Sequence, residues 1–149
     1  MALIAAGAEA PSVSGLEPEG GPRALWFFKV TCPVCQMAAP VAERLAAAFP
    51  GRVVGVGQDP DEKLRAFAKR FGTTFEVVSD PPPYAASDGY GLDTVPTLVL
   101  VQDGRVADVV ESWDRDGYNR IADRLAELRG TPGAAVSDPG DGLPSFRPG

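Results

Sequence analysis

FFKVTCPVCQ, residues 27–36, holds both cysteines of the chain, Cys32 and Cys35, with two residues between them and an apolar run just before them. Three readings compete: a structural staple, part of a metal site, or a redox couple. A disulfide across so small a loop constrains the unfolded chain far less than a long-range crosslink would. Tetrahedral zinc needs four ligands, normally two such pairs or one pair with histidines. This chain has no third cysteine and no histidine. Completing a metal site would require carboxylates or a second subunit, as would an iron–sulfur cluster bridged between subunits. Position favours the redox couple. The pair falls where a buried strand gives way to a helix, so Cys32 meets unpaired backbone N–H groups and the positive end of the helix dipole. Both stabilise a thiolate, and thiols in such motifs have pKa values of about 3.5–7.5. Pro33 suits the first helical turn and fixes the backbone between the two sulfurs.

The rest of the chain frames that choice. Its 149 residues suffice for one domain with a proper core, and the apolar (44%) and charged (23%) fractions are those of an ordinary globular protein. Stability therefore need not depend on a disulfide. A net charge of −6, with no cluster of Lys and Arg, argues against a nucleic-acid partner. No apolar run approaches the roughly 18 residues of a membrane span. MALIAAGAEAP lacks the basic start of a secretory signal, so the expected location is the cytoplasm. The absence of histidine excludes a Ser-His-Asp triad, a Cys-His pair and any His-ligated metal.

Three segments follow from composition. Residues 1–23 read as a loose lead-in with Val13 and Leu16 as isolated apolar points, 24–129 as the folded domain, and 130–149 as a tail, since nine of those 20 residues are Pro or Gly. Within the domain, Ala24–Val30 is apolar on both parities, as in a strand buried on both faces. Met37, Val41, Leu45 and Phe49 recur every four residues and predict a helix over 34–49, kinked at Pro40. Arg52–Gly57 reads as a second strand. Asp59 is the expected cap of a helix carrying Leu64, Phe67 and Phe71 and closed by Gly72. Phe75–Val78 is a short strand and Pro83–Tyr90 a loop with a helical turn. Thr97–Val101 and Val106–Val110 form a hairpin about Asp103-Gly104. Tyr118, Ile121, Leu125 and Leu128 line a last helix capped by Asp114 or Asp116. Alternating strands and helices imply an α/β fold with parallel βαβ units, and the hairpin adds antiparallel strands. The result is a mixed central sheet flanked by helices.

WFFKVTCPVC followed by a helix containing proline, with TVPTLVLV and an Asp-Gly turn downstream, resembles the thioredoxin superfamily. The resemblance covers about residues 7–129. It implies that Pro96, in Val95-Pro96-Thr97, is a cis-proline opposite the cysteines, and that the Val95 backbone pairs with a substrate's extended chain. The additional helix–strand unit, Asp61–Val78, is similar to that of the TlpA/ResA-like and peroxiredoxin-like (AhpC/TSA) branches, as is the lead-in AGAEAPSV. The implied activity is thiol–disulfide exchange, as a reductase, with Cys32 attacking and Cys35 resolving. Thr31, Pro33, Val34, Val95 and Pro96 would meet the substrate. The implied partners are a protein disulfide and a reductase that recycles the dithiol, acting on a monomer without metal or cofactor.

Several positions depart from the family pattern. Thr31 replaces the aromatic residue before the first cysteine. The buried acids found in relatives fall at Trp26 and Ala38, so the usual proton acceptor for Cys35 is missing. A peroxidatic cysteine would have Thr three and Pro seven residues before it, whereas Lys29 and Leu25 precede Cys32 at those spacings. A thiol peroxidase and a non-catalytic binding module with the same fold stand as the competing readings.

Overall fold

In the computed structural model, which describes residues 2–18 and 20–149, the apolar run before the cysteines is the central strand. β1 (Arg23–Phe28) pairs in parallel with β2 (Val53–Gly57) and antiparallel with β4 (Thr97–Gln102). β3 (Glu76–Ser79) extends the sheet beyond β2, and β5 (Arg105–Glu111) extends it beyond β4. The strand order is β3-β2-β1-β4-β5. Burial on both faces follows from the two-residue alternation of a strand. Trp26 and Phe28 enter one apolar cluster, and Leu25 and Phe27 enter the other.

The first cluster lies under α1 (Pro33–Ala48), α2 (Asp61–Phe71) and α4 (Arg115–Arg129). The second lies under α3 (Ala85–Gly89) and the lead-in, where Val13 is buried. The lead-in is tied to the sheet edge: the Gly7 and Ala10 N–H groups donate to Val106 and Gly104 carbonyls, and Glu9 bridges Arg105. α1 continues through Pro40, which is exposed, so the carbonyl that loses its helical partner can face water. The β4–β5 turn places Asp103 and Gly104 at φ 51° and 75°, the backbone that the Asp-Gly pair tolerates. α2 carries Asp61 and Glu62 in its first turn and Lys69 and Arg70 in its last, each set matched to the helix dipole.

The lead-in, expected to be loose, is instead tied to the sheet edge, and two further expectations require correction. Asp59 does not cap α2: Pro60 takes that position with no side-chain cap, and the Asp59 carboxylate accepts the Val30 N–H at 2.9 Å instead. The Val30 N–H thus goes to a side chain rather than to a neighbouring strand, and β1 ends at Phe28 rather than Val30. Residues 130–149, expected to be a tail and not a packed element, lie against the domain. Val136 and Ser137 are buried. Asn119 Oδ1 accepts both of their N–H groups, at 2.9 and 3.1 Å, and Arg44 Nε donates to the Val136 carbonyl at 2.7 Å. Buried Arg115 donates to Ser137 Oγ, to Asp141 Oδ1 and to the Leu143 carbonyl. Trp113 Nε1 donates to the Pro144 carbonyl at 2.7 Å. β6 (Trp113–Asp114) then pairs with β7 (Phe146–Arg147). Proline and glycine content predicts poor secondary structure, but backbone groups without local partners can still be satisfied by side chains from elsewhere in the fold.

Among the described residues, no helix is long and apolar enough to cross a membrane. No group of three or more His, Cys, Asp or Glu among them is placed to hold a metal ion.

Candidate active site

Cys32 is the N-cap residue of α1, with extended backbone (φ −80°, ψ 115°) and Pro33 in the first turn. Its Sγ accepts the Cys35 N–H at 3.1 Å and lies 3.5 Å from the Val95 carbonyl oxygen, to which the thiol donates. Val95–Pro96 is a cis peptide bond, and Pro96 is buried behind Val95. The carbonyl of Val95 thereby sits across from a half-buried sulfur, while Cys35 is fully buried one turn into the helix. Both cysteines are free thiols.

The loop before Cys32 is braced from two sides. Asp59 holds the Val30 N–H, and Gln36 Nε2 donates to the Val30 carbonyl at 2.9 Å. The Cys32 N–H closes the turn on the Lys29 carbonyl. These bonds fix the point at which the chain leaves the sheet, and hence the position of Sγ over the helix terminus.

Electrostatics separate the two thiols. The Cys35 thiol as hydrogen-bond donor, followed by the backbone N–H groups of Cys35 and Val34, lowers the Cys32 pKa to about 6 against an opposing cost of partial burial; Arg147 adds a smaller attraction. Burial, and then the neighbouring Cys32 sulfur, push the Cys35 thiol well above its ordinary value. One sulfur is thus an anion near neutral pH and the other a neutral thiol directly behind it. The sign of the pH dependence follows. Alkylation of the reduced protein by iodoacetamide should rise with a midpoint near pH 6 and level off above about pH 7. The lowered pKa also stabilises the reduced fold. That contribution is complete above the unfolded thiol's value and is lost as pH falls through about 6. A midpoint near 9, read by mass spectrometry of the labelled cysteine, would show that neither the Cys35 thiol nor the helix terminus acts on Cys32.

Cys32, Pro33 and Val95 line one open groove together with Gln58, Leu92, Asp93, Thr94 and Gly149. Thr31 is exposed and does not line it. The Val34 side chain is directed into the core, so Val34 offers the site its backbone N–H rather than a side-chain contact. Gln58, Leu92 and Asp93 carried no periodic or motif signal, whereas Thr94 opens the TVPT stretch. They reach the groove because the ends of β2 and β4 lie on either side of β1. Gln58 follows β2 immediately, and its N–H donates to the Phe28 carbonyl. Asp80 is buried and accepts from Ala86 N, Ser87 N and Ser87 Oγ, which holds the start of α3 rather than facing the thiols.

The fold and this geometry have counterparts. The AhpC/TSA family matches residues 6–109. The thiol-disulfide oxidoreductase ResA of Halalkalibacterium halodurans is 27% identical over 99 residues, covering 64% of this chain and 56% of that protein. The chain therefore spans little more than half the length of that relative. MTB dsbF, whose structure contains mixed oxidised and reduced forms, is 29% identical with a TM-score of 0.62, covering 73% of this chain and 81% of that one. The thioredoxin domain of a thiol-disulfide oxidoreductase from Bacteroides vulgatus shares the fold at 19% identity, with a TM-score of 0.69 over 82% of this chain and 99% of that one. With a matching span of 104 residues, a mixed five-stranded sheet and a Cys32–Cys35 pair at a helix start, the chain belongs to the AhpC/TSA family and has a thioredoxin-like fold.

Proposed function

We propose that the protein exchanges its Cys32–Cys35 dithiol with protein disulfides and works as a reductase. The observation that carries this reading is the placement of a half-buried sulfur at a helix N-terminus, 3.5 Å from the Val95 carbonyl, with a buried second thiol one turn behind it. The Cys32 thiolate attacks one sulfur of the partner's disulfide; that bond breaks, and the other partner sulfur leaves as a thiolate. Cys35 then attacks Cys32 Sγ. The mixed disulfide breaks, the proton of Cys35 passes to the second departing thiolate while the first takes its proton from water, and the Cys32–Cys35 disulfide forms. Two electrons go to the partner, and an external dithiol restores the reduced protein. The Val95 backbone would pair with the partner's extended segment beside the reacting sulfurs. The proposed setting is a reducing compartment such as the cytoplasm, with a monomer acting on protein disulfides and a separate reductase recycling it.

The direction rests on magnitude. A thiolate stabilised at pKa about 6 favours the reduced form less than that of a strong oxidant, whose thiol has a pKa of about 3.5 and a potential of about −120 mV. The expected potential, from equilibration with glutathione buffers, lies between about −180 and −270 mV. A value near −120 mV would make the protein an oxidant and end the reductase reading. A peroxidase reading has the family match in its favour, but Lys29 and Leu25 occupy the positions where that chemistry needs Thr and Pro. Consumption of hydrogen peroxide dependent on Cys32, with sulfenic acid formed there, would favour it.

A further inference from the structure

The helix start that carries Cys32 and the Val95–Pro96 bend come from earlier in the chain, and residues 146–149 lie against both. β7 pairs Arg147 with Trp113 and Phe146 with Asp114. The Gly149 N–H donates to Ser112 Oγ at 3.1 Å. Gly149 is packed so closely against the Val95 carbonyl oxygen and Thr94 Oγ1 that a Cβ there would collide with both. Arg147 Nη1 reaches Met37 Sδ, on the helix that Cys32 caps, at 4.0 Å. The Val95 oxygen therefore has Cys32 Sγ on one side and this segment on the other.

We propose that residues 146–149 are a specificity element of the thiol site: they cover Val95 where an extended partner segment would pair, and so disfavour such partners relative to small disulfides. This rests on the exchange reading above and assigns it a selectivity. Two features support displacement rather than permanent closure. The preceding residues, 136–144, are held by Arg44, Arg115, Asn119 and Trp113. Beyond them the hold is lighter: the Arg115 N–H on the Ser145 carbonyl, a two-residue strand, one bond to Ser112, the long Arg147–Met37 contact, and a Phe146 that is 55% exposed. An edge of two residues with an exposed side chain gives up little apolar burial when it lifts. A small disulfide reaches the half-buried Sγ through the groove beside Pro33 and Gln58 without pairing at Val95.

The test compares two reduced proteins, the full chain and Gly149→Val, whose added side chain must drive the segment off Val95 without shortening the chain. Each is reacted with oxidised glutathione and with the disulfide dimer of a short, extended cysteine peptide. The ratio of peptide to glutathione exchange rates should rise roughly tenfold in the variant, the factor that one to two net hydrogen bonds are worth. Deletion of residues 146–149 should give the same rise, and its unfolding midpoint checks that the fold is kept. An unchanged or lower ratio in two competent proteins would overturn the specificity role alone. No exchange with either disulfide, in any of the proteins, would overturn the exchange reading and this proposal with it.

Discussion

Cys32→Ser is expected to abolish turnover of an insulin-type disulfide in the presence of dithiothreitol, leaving the uncatalysed rate. Loss of the attacking group in covalent catalysis costs about three orders of magnitude or more. The hydroxyl that replaces the thiol is not ionised near neutral pH, whereas Cys32, with a pKa of about 6, is largely thiolate. The substitution also separates chemistry from folding. Cys32 is an N-cap whose sulfur accepts the Cys35 N–H, and serine is among the preferred residues at that position. The unfolding midpoint should therefore fall only slightly, by no more than the thiolate's own contribution, while turnover disappears. Wild-type turnover in this variant would mean that catalysis does not pass through Cys32.

The largest expected effect on stability comes from Trp26→Ala. Trp26 is fully buried in the central strand, stacked on Phe28 with ring centroids 4.6 Å apart and edge-on to Phe75 at 6.0 Å. Its Nε1 donates to the Tyr118 hydroxyl at 2.9 Å, joining β1 to α4 across the core. Truncating a buried tryptophan costs about 3–5 kcal/mol. Against a total of about 5–15 kcal/mol, that lowers the unfolding midpoint by roughly 10–20 °C. Trp26→Phe keeps most of the apolar volume but leaves the Tyr118 hydroxyl without its donor, so a smaller loss of about 1–3 kcal/mol is expected. Calorimetry showing less than about 1 kcal/mol for the alanine variant would contradict the packing described. The cluster that Trp26 shares with Cys35 is thus held in part by a hydrogen bond between two aromatic side chains.

The parts of this structure that were legible in the sequence are those that local chemistry dictates. Apolar residues on both parities over Ala24–Val30 suit a strand covered on both faces, and Ala24–Phe28 lie in one. A four-residue stripe through Val41, Leu45 and Phe49 can only be one side of a helix. The Asp-Gly pair demands its turn. What escaped was set by partners distant in sequence. Asp59 has the local setting of a helix cap, before Pro60 and two acids, but a backbone N–H 29 residues away claims its carboxylate. The segment 136–144 looks unstructured because its own residues offer no period. Its order is supplied by Arg44, Arg115 and Asn119, whose charge and amide groups gave no hint of their targets. Val34, expected at the groove, points inward because the helical turn that exposes Cys32 and Pro33 must bury the next positions. Helix periodicity carries that information.

The most direct test of the exchange reading is to trap its intermediate. Reduced Cys35→Ser, mixed with a protein carrying an accessible disulfide, should accumulate a covalent adduct. Intact mass spectrometry should show one partner chain added, peptide mapping should place the bond at Cys32, and dithiothreitol should release it. Absence of that adduct under conditions where Cys32 still alkylates with its midpoint near pH 6 would contradict protein disulfides as the substrate.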